Sequence, residues 1–77
     1  MTPQDVRVQR KQLGLSQVRL ANLAGVSRFR LTLWESGDGP LTEEELARVI
    51  SLLRHQAATT IEALSELAGA HQLGGST

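Results

Sequence analysis

Apolar residues recur at helical spacing in several short runs, and hydroxyl residues and glycines punctuate them. Leu15-Ser16-Gln17 opens one run. Ser16 is an N-cap type, because its hydroxyl can accept from a free amide of the first turn. Leu15 precedes the cap and Leu20 takes the fourth helical position, a hydrophobic staple that sets the angle at which the chain enters the helix. The device recurs with Val26, Ser27 and Leu31. It recurs again with Leu41, Thr42 and Leu46, where Glu45 completes a capping box with Thr42. Thr2-Pro3 is a further start, a cap followed by proline at the first helical position. The pattern predicts helices beginning near residues 3, 17, 28 and 43. Gly14, Gly25 and Gly37 fall at the ends of the preceding helices, where a positive φ is wanted.

The faces of these helices carry the functional expectation. On the second helix, Leu20, Ala21, Leu23 and Ala24 share one side at about 100° per residue, while Arg19 and Asn22 point away. Ala21 and Ala24 are small enough to let another helix approach closely. On the third, Leu31 and Trp34 form the inward edge. Arg28, Thr32 and Ser36 form an outward row, with Phe29 and Leu33 beside it. Two short helices joined by a glycine-containing turn make a helix-turn-helix unit. The second helix of that unit sets its N-terminal side chains against base edges in the DNA major groove.

The C-terminal part is less punctuated. From Leu41 to Ala68 there is neither glycine nor proline, and Leu46, Val49, Ile50, Leu53, Ala57, Ile61, Leu64 and Ala68 keep one helical phase. The unbroken phase favours a single helix over about 43–69. The alternative is a break near Thr59, which can cap a fifth helix with Glu62 three residues on. Ile61, Leu64 and Leu67 exceed what a small domain needs, and burying each is worth about 1.5–3 kcal/mol. With Leu52 they are the candidate dimerisation residues. The expected organisation is a DNA-binding domain over 1–57, a helical extension over 58–72 and a disordered tail over 73–77, which includes Gly74-Gly75-Ser76-Thr77.

The run from Arg10 through Leu53 resembles the Cro/phage-repressor (XRE) type of helix-turn-helix domain. The resemblance lies in RKQLGLSQVRLANLAGVSRFRLTLWESG, followed by a Pro-Leu-Thr turn and an amphipathic helix. It rests on joint placement of Gly14-Leu15-Ser16-Gln17, Ala21, Gly25-Val26-Ser27, Leu31, and Trp34-Glu35 with Gly37. It implies an all-α fold, a small lambda-repressor-like bundle of four to five helices with a C-terminal helical extension. It implies that Gln17 meets the DNA backbone, at a helix N-terminus that suits phosphate on its own account. It implies that Ser27, Arg28, Phe29, Thr32 and Ser36 face DNA. It also implies a structural pair between Arg10 and Glu35 that ties the first helix to the third. The chain departs from the family in three places: Gln9 replaces an aliphatic residue, Phe29 and Leu33 are unusually apolar for a groove-facing surface, and no glycine break follows Leu53.

Each candidate contact has more than one reading. Arg28 suits a bidentate guanine contact or a phosphate. Thr32 suits a thymine methyl, a phosphate or plain surface. Phe29 and Leu33, at i and i+4, suit thymine methyls, a helix-stabilising pair or a protein contact. Arg19 and Arg30 are better placed for phosphate than for bases. Arg7 and Lys11 on the first helix read as distal backbone contacts or solubilising charges, and Trp34 as core.

Composition narrows the classes. Seventy-seven residues make one domain with a marginal core, a size that gains from association. With no cysteine there is no disulfide framework or thiolate metal site. His55 and His71 have no carboxylate or cysteine at ligand spacing, so neither metal nor cofactor is expected. No nucleophile–base or paired-carboxylate constellation points to an enzyme. With no apolar run long enough for a membrane and no signal-peptide pattern, a cytoplasmic protein is expected. The formal charge of zero is unevenly spread. Residues 1–36 hold six cations (Arg7, Arg10, Lys11, Arg19, Arg28, Arg30) against Asp5 and Glu35, net +4. Residues 37–77 hold Arg48 and Arg54 against six carboxylates, net −4. The basic half is the half with the helix-turn-helix, and an electrostatic footprint is local. Glu43, Glu44 and Glu45 also complement the dipole at a helix start. The expected function is a regulator of double-stranded DNA, acting as a homodimer on a palindromic site with two third helices about one turn apart. Occlusion of a promoter makes it a repressor. The rivals are an antitoxin that clasps a toxin with its C-terminal segment, and a protein-docking module.

Overall fold

The computed structural model describes the backbone of residues 1–75 and the side chains of residues 1–68. Four helices follow one another: α1 (Pro3–Gln12), α2 (Gln17–Ala24), α3 (Arg28–Glu35) and α4 (Glu43–Gly75), with no strand among the described residues. All four begin where the caps predict. Ser16 Oγ accepts from the Arg19 amide at 3.0 Å and Ser27 Oγ from the Arg30 amide at 3.4 Å. Thr42 and Glu45 close the predicted capping box, each backbone N–H donating to the other's side chain at 2.9 and 3.0 Å. Thr2 forms a second such box with Asp5, at 3.0 and 3.1 Å. Donation from the Thr2 backbone, reinforced by its side chain, holds the Asp5 carboxyl below its ordinary value. Gly25 ends α2 with φ +71°, and its N–H reaches back to the Ala21 carbonyl. A side chain there would strain the tight turn into α3.

The core gathers Val6, Leu15, Leu20, Ala21, Ala24, Leu31, Trp34, Val49 and Leu53, with Leu13, Val26, Leu41, Leu46 and Leu52 packed around it. Every residue of the three staples is therefore in the core or on its rim. α2 lies at the centre, packed on both α3 and α4, and Ala21 and Ala24 keep it close to them. α1 contributes only Val6 and Arg10 as buried residues, and Gln9 is half-buried. Leu23 is a correction: expected on the buried side of α2, it is 46% exposed. The face that packs is narrower than the apolar face, because Leu20, Ala21 and Ala24 already fill the contact.

α4 is one helix of 33 residues, about 50 Å long, with no break at Thr59. The Thr59 hydroxyl donates to the His55 carbonyl four residues back at 2.9 Å, so it sits against the preceding turn instead of capping a new one. The single stripe changes character along its length. Val49 and Leu53 are buried, Leu46, Ile50 and Ala57 are half-buried, and every side chain from Ala58 to Ala68 is exposed. The helix passes unbroken through the expected boundary at 57/58. The expected tail over 73–77 overlaps the last residues of α4, while Ser76 and Thr77 lie outside the described residues, as does the His71 side chain.

Candidate nucleic-acid interface

A buried polar network sets the relation of the first three helices. Arg10 donates from Nε to Glu35 Oε2 and from Nη2 to Glu35 Oε1, both at 3.0 Å, and from Nη1 to the Leu15 carbonyl at 2.9 Å. The two side chains are 9% and 2% exposed. Gln17 Nε2 donates to Glu35 Oε1 at 3.3 Å, and Thr32 Oγ1 donates to Gln17 Oε1 at 3.0 Å. The pair implied by the resemblance is present and extends further: α1, the turn after it, the start of α2 and the C-terminal half of α3 are joined. No buried side-chain polar atom is left without a partner among the described residues. The Gln17 side chain thus works inward. The backbone amides that open α2 keep no intrahelical acceptor, as at any helix start.

The outward surface of α3 is built on that frame. Arg28 and Phe29 are exposed, Phe29 by 72%, and Thr32 is half-buried. Together they line a shallow concavity of about 230 Å³. It is mostly apolar, since the Thr32 hydroxyl is engaged with Gln17. Ser27 and Ser36 are exposed at the two ends of α3. Leu33 departs from expectation: it is half-buried, because the turn after α3 folds over it. A Cβ added to Gly39 would lie 3.1 Å from Leu33 Cβ, a close approach that glycine permits. Phe29 is therefore left as the exposed hydrophobic of the surface.

Arg19 and Arg28 make no ion pair among the described residues, but Arg30 does. Its Nε donates to Glu45 Oε2 at 3.0 Å and its Nη2 to Glu45 Oε1 at 2.6 Å. The residue expected to meet phosphate is clasped by the first turn of α4. These bonds, with the Thr42 amide, pull the Glu45 carboxyl down to about 2. The charged form is thus the one the fold favours. Its contribution is complete above the ordinary value of 4.5 and disappears as pH falls towards about 2. Carboxyl-carbon NMR should find Glu45 titrating near the low end of that window, and Arg30→Ala should move its midpoint back up. The same midpoint in both proteins would contradict the clasp.

A second, polar cleft of about 160 Å³ is lined by Arg7, Arg10, Lys11, Gln17, Glu35 and Ser36. It brings Arg7 and Lys11, distal in the sequence reading, to the start of α2 and the end of α3. Their i, i+4 spacing marked a basic face of α1, but nothing local indicated where that face would point. Leu23 and Leu52 line a further groove of about 540 Å³ between α2 and α4, with Arg48 and His55. Leu52 lies about 120° round α4 from Leu64 at 100° per residue, so the four candidate dimerisation residues do not share one face. Among the described residues, no three His, Cys, Asp or Glu side chains are grouped to hold a metal ion. No helix among them is long and apolar enough to cross a membrane.

The family described as Helix-turn-helix matches residues 6–55, well over half of the 77. The chain belongs to the Cro/phage-repressor (XRE) helix-turn-helix family. A search of curated proteins and of solved structures returns no match. Membership makes the chain a DNA-binding regulator of the helix-turn-helix kind. Within the matched residues, α2, the turn at Gly25 and α3 form the helix-turn-helix.

Proposed function

We propose that the protein is a repressor that binds a palindromic operator as a homodimer, with α3 of each subunit in a major groove. The observation that carries this reading is the exposed Arg28–Phe29–Thr32 surface, held on a helix whose angle is locked from behind by the Arg10–Glu35–Gln17 network. Arg28 suits the paired acceptors of guanine, and Phe29 with Thr32 suits an adjacent thymine methyl. Ser27, Ser36 and Arg19, the opening amides of α2 beside Gln17, and the Arg7 and Lys11 side chains are the backbone contacts that would fix register without reading sequence. The dimer rests on Ile61, Leu64 and Leu67, which are 60–68% exposed on one side of a helix that has left its own core. A seated dimer covers the DNA it reads, which is enough to block transcription there. The same stripe fits the antitoxin reading if a toxin covers it instead, and sedimentation of the purified chain separates the two.

Selection of bound sites from random duplex DNA is the test. The wild-type chain should enrich two inverted half-sites spaced by about 10–10.5 base pairs, or a multiple. Arg28→Ala should lose preference at one base pair in each half-site, by about 1–3 kcal/mol of discrimination. Enrichment of no sequence, or an unchanged site for the variant, would remove Arg28 from the reading surface.

A further inference from the structure

The Arg30–Glu45 pair stands at the edge of the DNA-facing surface and joins the recognition helix to the start of α4. Arg30 follows Phe29, about 100° further round α3 and on the side away from Arg28. Its side chain is 44% exposed and that of Glu45 is 17% exposed, so the pair is reachable from solvent. The carboxylate is aligned independently of its partner. Glu45 is the third residue of α4, and its side chain already accepts from the Thr42 amide while its own amide donates to Thr42 Oγ1. Arg30 therefore meets a fixed acceptor and engages it through two parallel N–H bonds, the strongest geometry open to an arginine and a carboxylate. Glu43 precedes Glu45 in the same turn, and the Glu44 between them is paired with Arg48 Nη2 at 2.6 Å.

We propose that Glu45 withholds Arg30 from the DNA backbone, so that the pair limits the sequence-independent strength of binding and leaves recognition to Arg28, Phe29 and Thr32. The inference rests on the DNA-binding reading and deepens it. A phosphate drawn to Arg30 must either displace Glu45 or sit beside its carboxylate, against like charge. An arginine already neutralised inside the protein releases little counterion when DNA arrives. The salt dependence of binding counts phosphates neutralised by the protein, at about 0.9 per contact for B-form DNA. The +4 of the first 36 residues thus overstates the charge available to DNA, because one of its cations is answered from the acidic half.

The full chain and three variants, Glu45→Gln, Arg30→Ala and the double substitution, would be titrated onto a mixed-sequence duplex over a series of salt concentrations. Glutamine at the third helical position preserves a capping box, and circular dichroism checks that each variant is folded. Glu45→Gln should bind more tightly, with a log–log salt slope steeper by about 0.9. That gain should vanish when Arg30→Ala is added. An unchanged slope for Glu45→Gln would overturn the proposal. So would weaker binding, which would make Glu45 a support that presents Arg30 to phosphate. A steeper slope that survives Arg30→Ala would assign the effect to bulk charge and also overturn it. These three outcomes leave the DNA reading standing. If the wild-type chain binds neither mixed nor selected duplexes, the DNA reading falls, and the proposal with it.

Discussion

Glu35→Ala is expected to cost about 3–5 kcal/mol and to leave much of the protein unfolded at room temperature. Removing one member of a buried ion pair strands the other in low dielectric. Arg10 is buried and would keep only the Leu15 carbonyl of its three bonds. Gln17 would lose its acceptor on α3 as well. Domains of this size are stabilised by only about 0.05–0.15 kcal/mol per residue, so the loss is a large share of the total. Urea denaturation followed by circular dichroism measures it. Replacing both partners, Arg10→Met with Glu35→Leu, should recover most of the stability, because a buried pair gains little over apolar residues of similar size. Two equally mild single substitutions would mean that the pair is solvated and that α1 is held by Val6 alone. The double variant should also bind DNA less well than its stability suggests, because Gln17 and Thr32 would lose the anchor that fixes α2 against α3.

The triple substitution Ile61→Gln, Leu64→Gln and Leu67→Gln should convert the chain to a monomer. Glutamine keeps the helix propensity of α4 while removing its exposed apolar stripe. Six such side chains in a dimer offer roughly 10 kcal/mol of gross burial, which is comparable with the cost of bringing two chains together. In the proposed dimer these side chains are what lets two α3 helices bind as one unit. Affinity for a two-half-site operator should fall by about 10²–10⁴-fold, the usual gain from linking two binding events. Sedimentation and operator titration read the two effects. A variant that remains dimeric would place the interface elsewhere, with the groove beside Leu23 and Leu52 the first alternative. A variant that is monomeric but binds as tightly as before would mean that single subunits do the work.

Where the sequence was readable, the signal was local and redundant. Ser16, Ser27 and Thr42 each sit between two staple residues, and each caps the helix it was expected to cap. Gly14, Gly25 and Gly37 all have φ between +70° and +79°. The Arg10–Glu35 pair spans 25 residues and was accessible only through the family resemblance. What stayed hidden depended on how helices meet. Leu23 repeats with the core residues of α2 but lines the open groove between α2 and α4. Leu33 lies beside the outward row of α3 by phase, yet the turn through Gly39 covers it. Arg30 and Glu45 are 15 residues apart, and their meeting follows from the path of the chain between two helices. Thr59 has the residue type of a cap, but α4 runs through it and its hydroxyl bonds back to the His55 carbonyl.

The continuity of α4 between Leu53, in the core, and Ile61, on the exposed stripe, has a consequence for how this chain can change over evolutionary time. A loop absorbs an inserted residue by bulging, whereas a continuous helix passes it on as a rotation of about 100° and a shift of about 1.5 Å. One extra residue in this segment would swing the stripe more than a quarter-turn relative to α3, and about seven would nearly restore it. Side chains here are free to drift among helix-forming types, but length is not. Insertions that survive in descendants of this chain should come in whole double turns, each lengthening the reach between the two domains of the proposed dimer and the stretch of DNA they would span together.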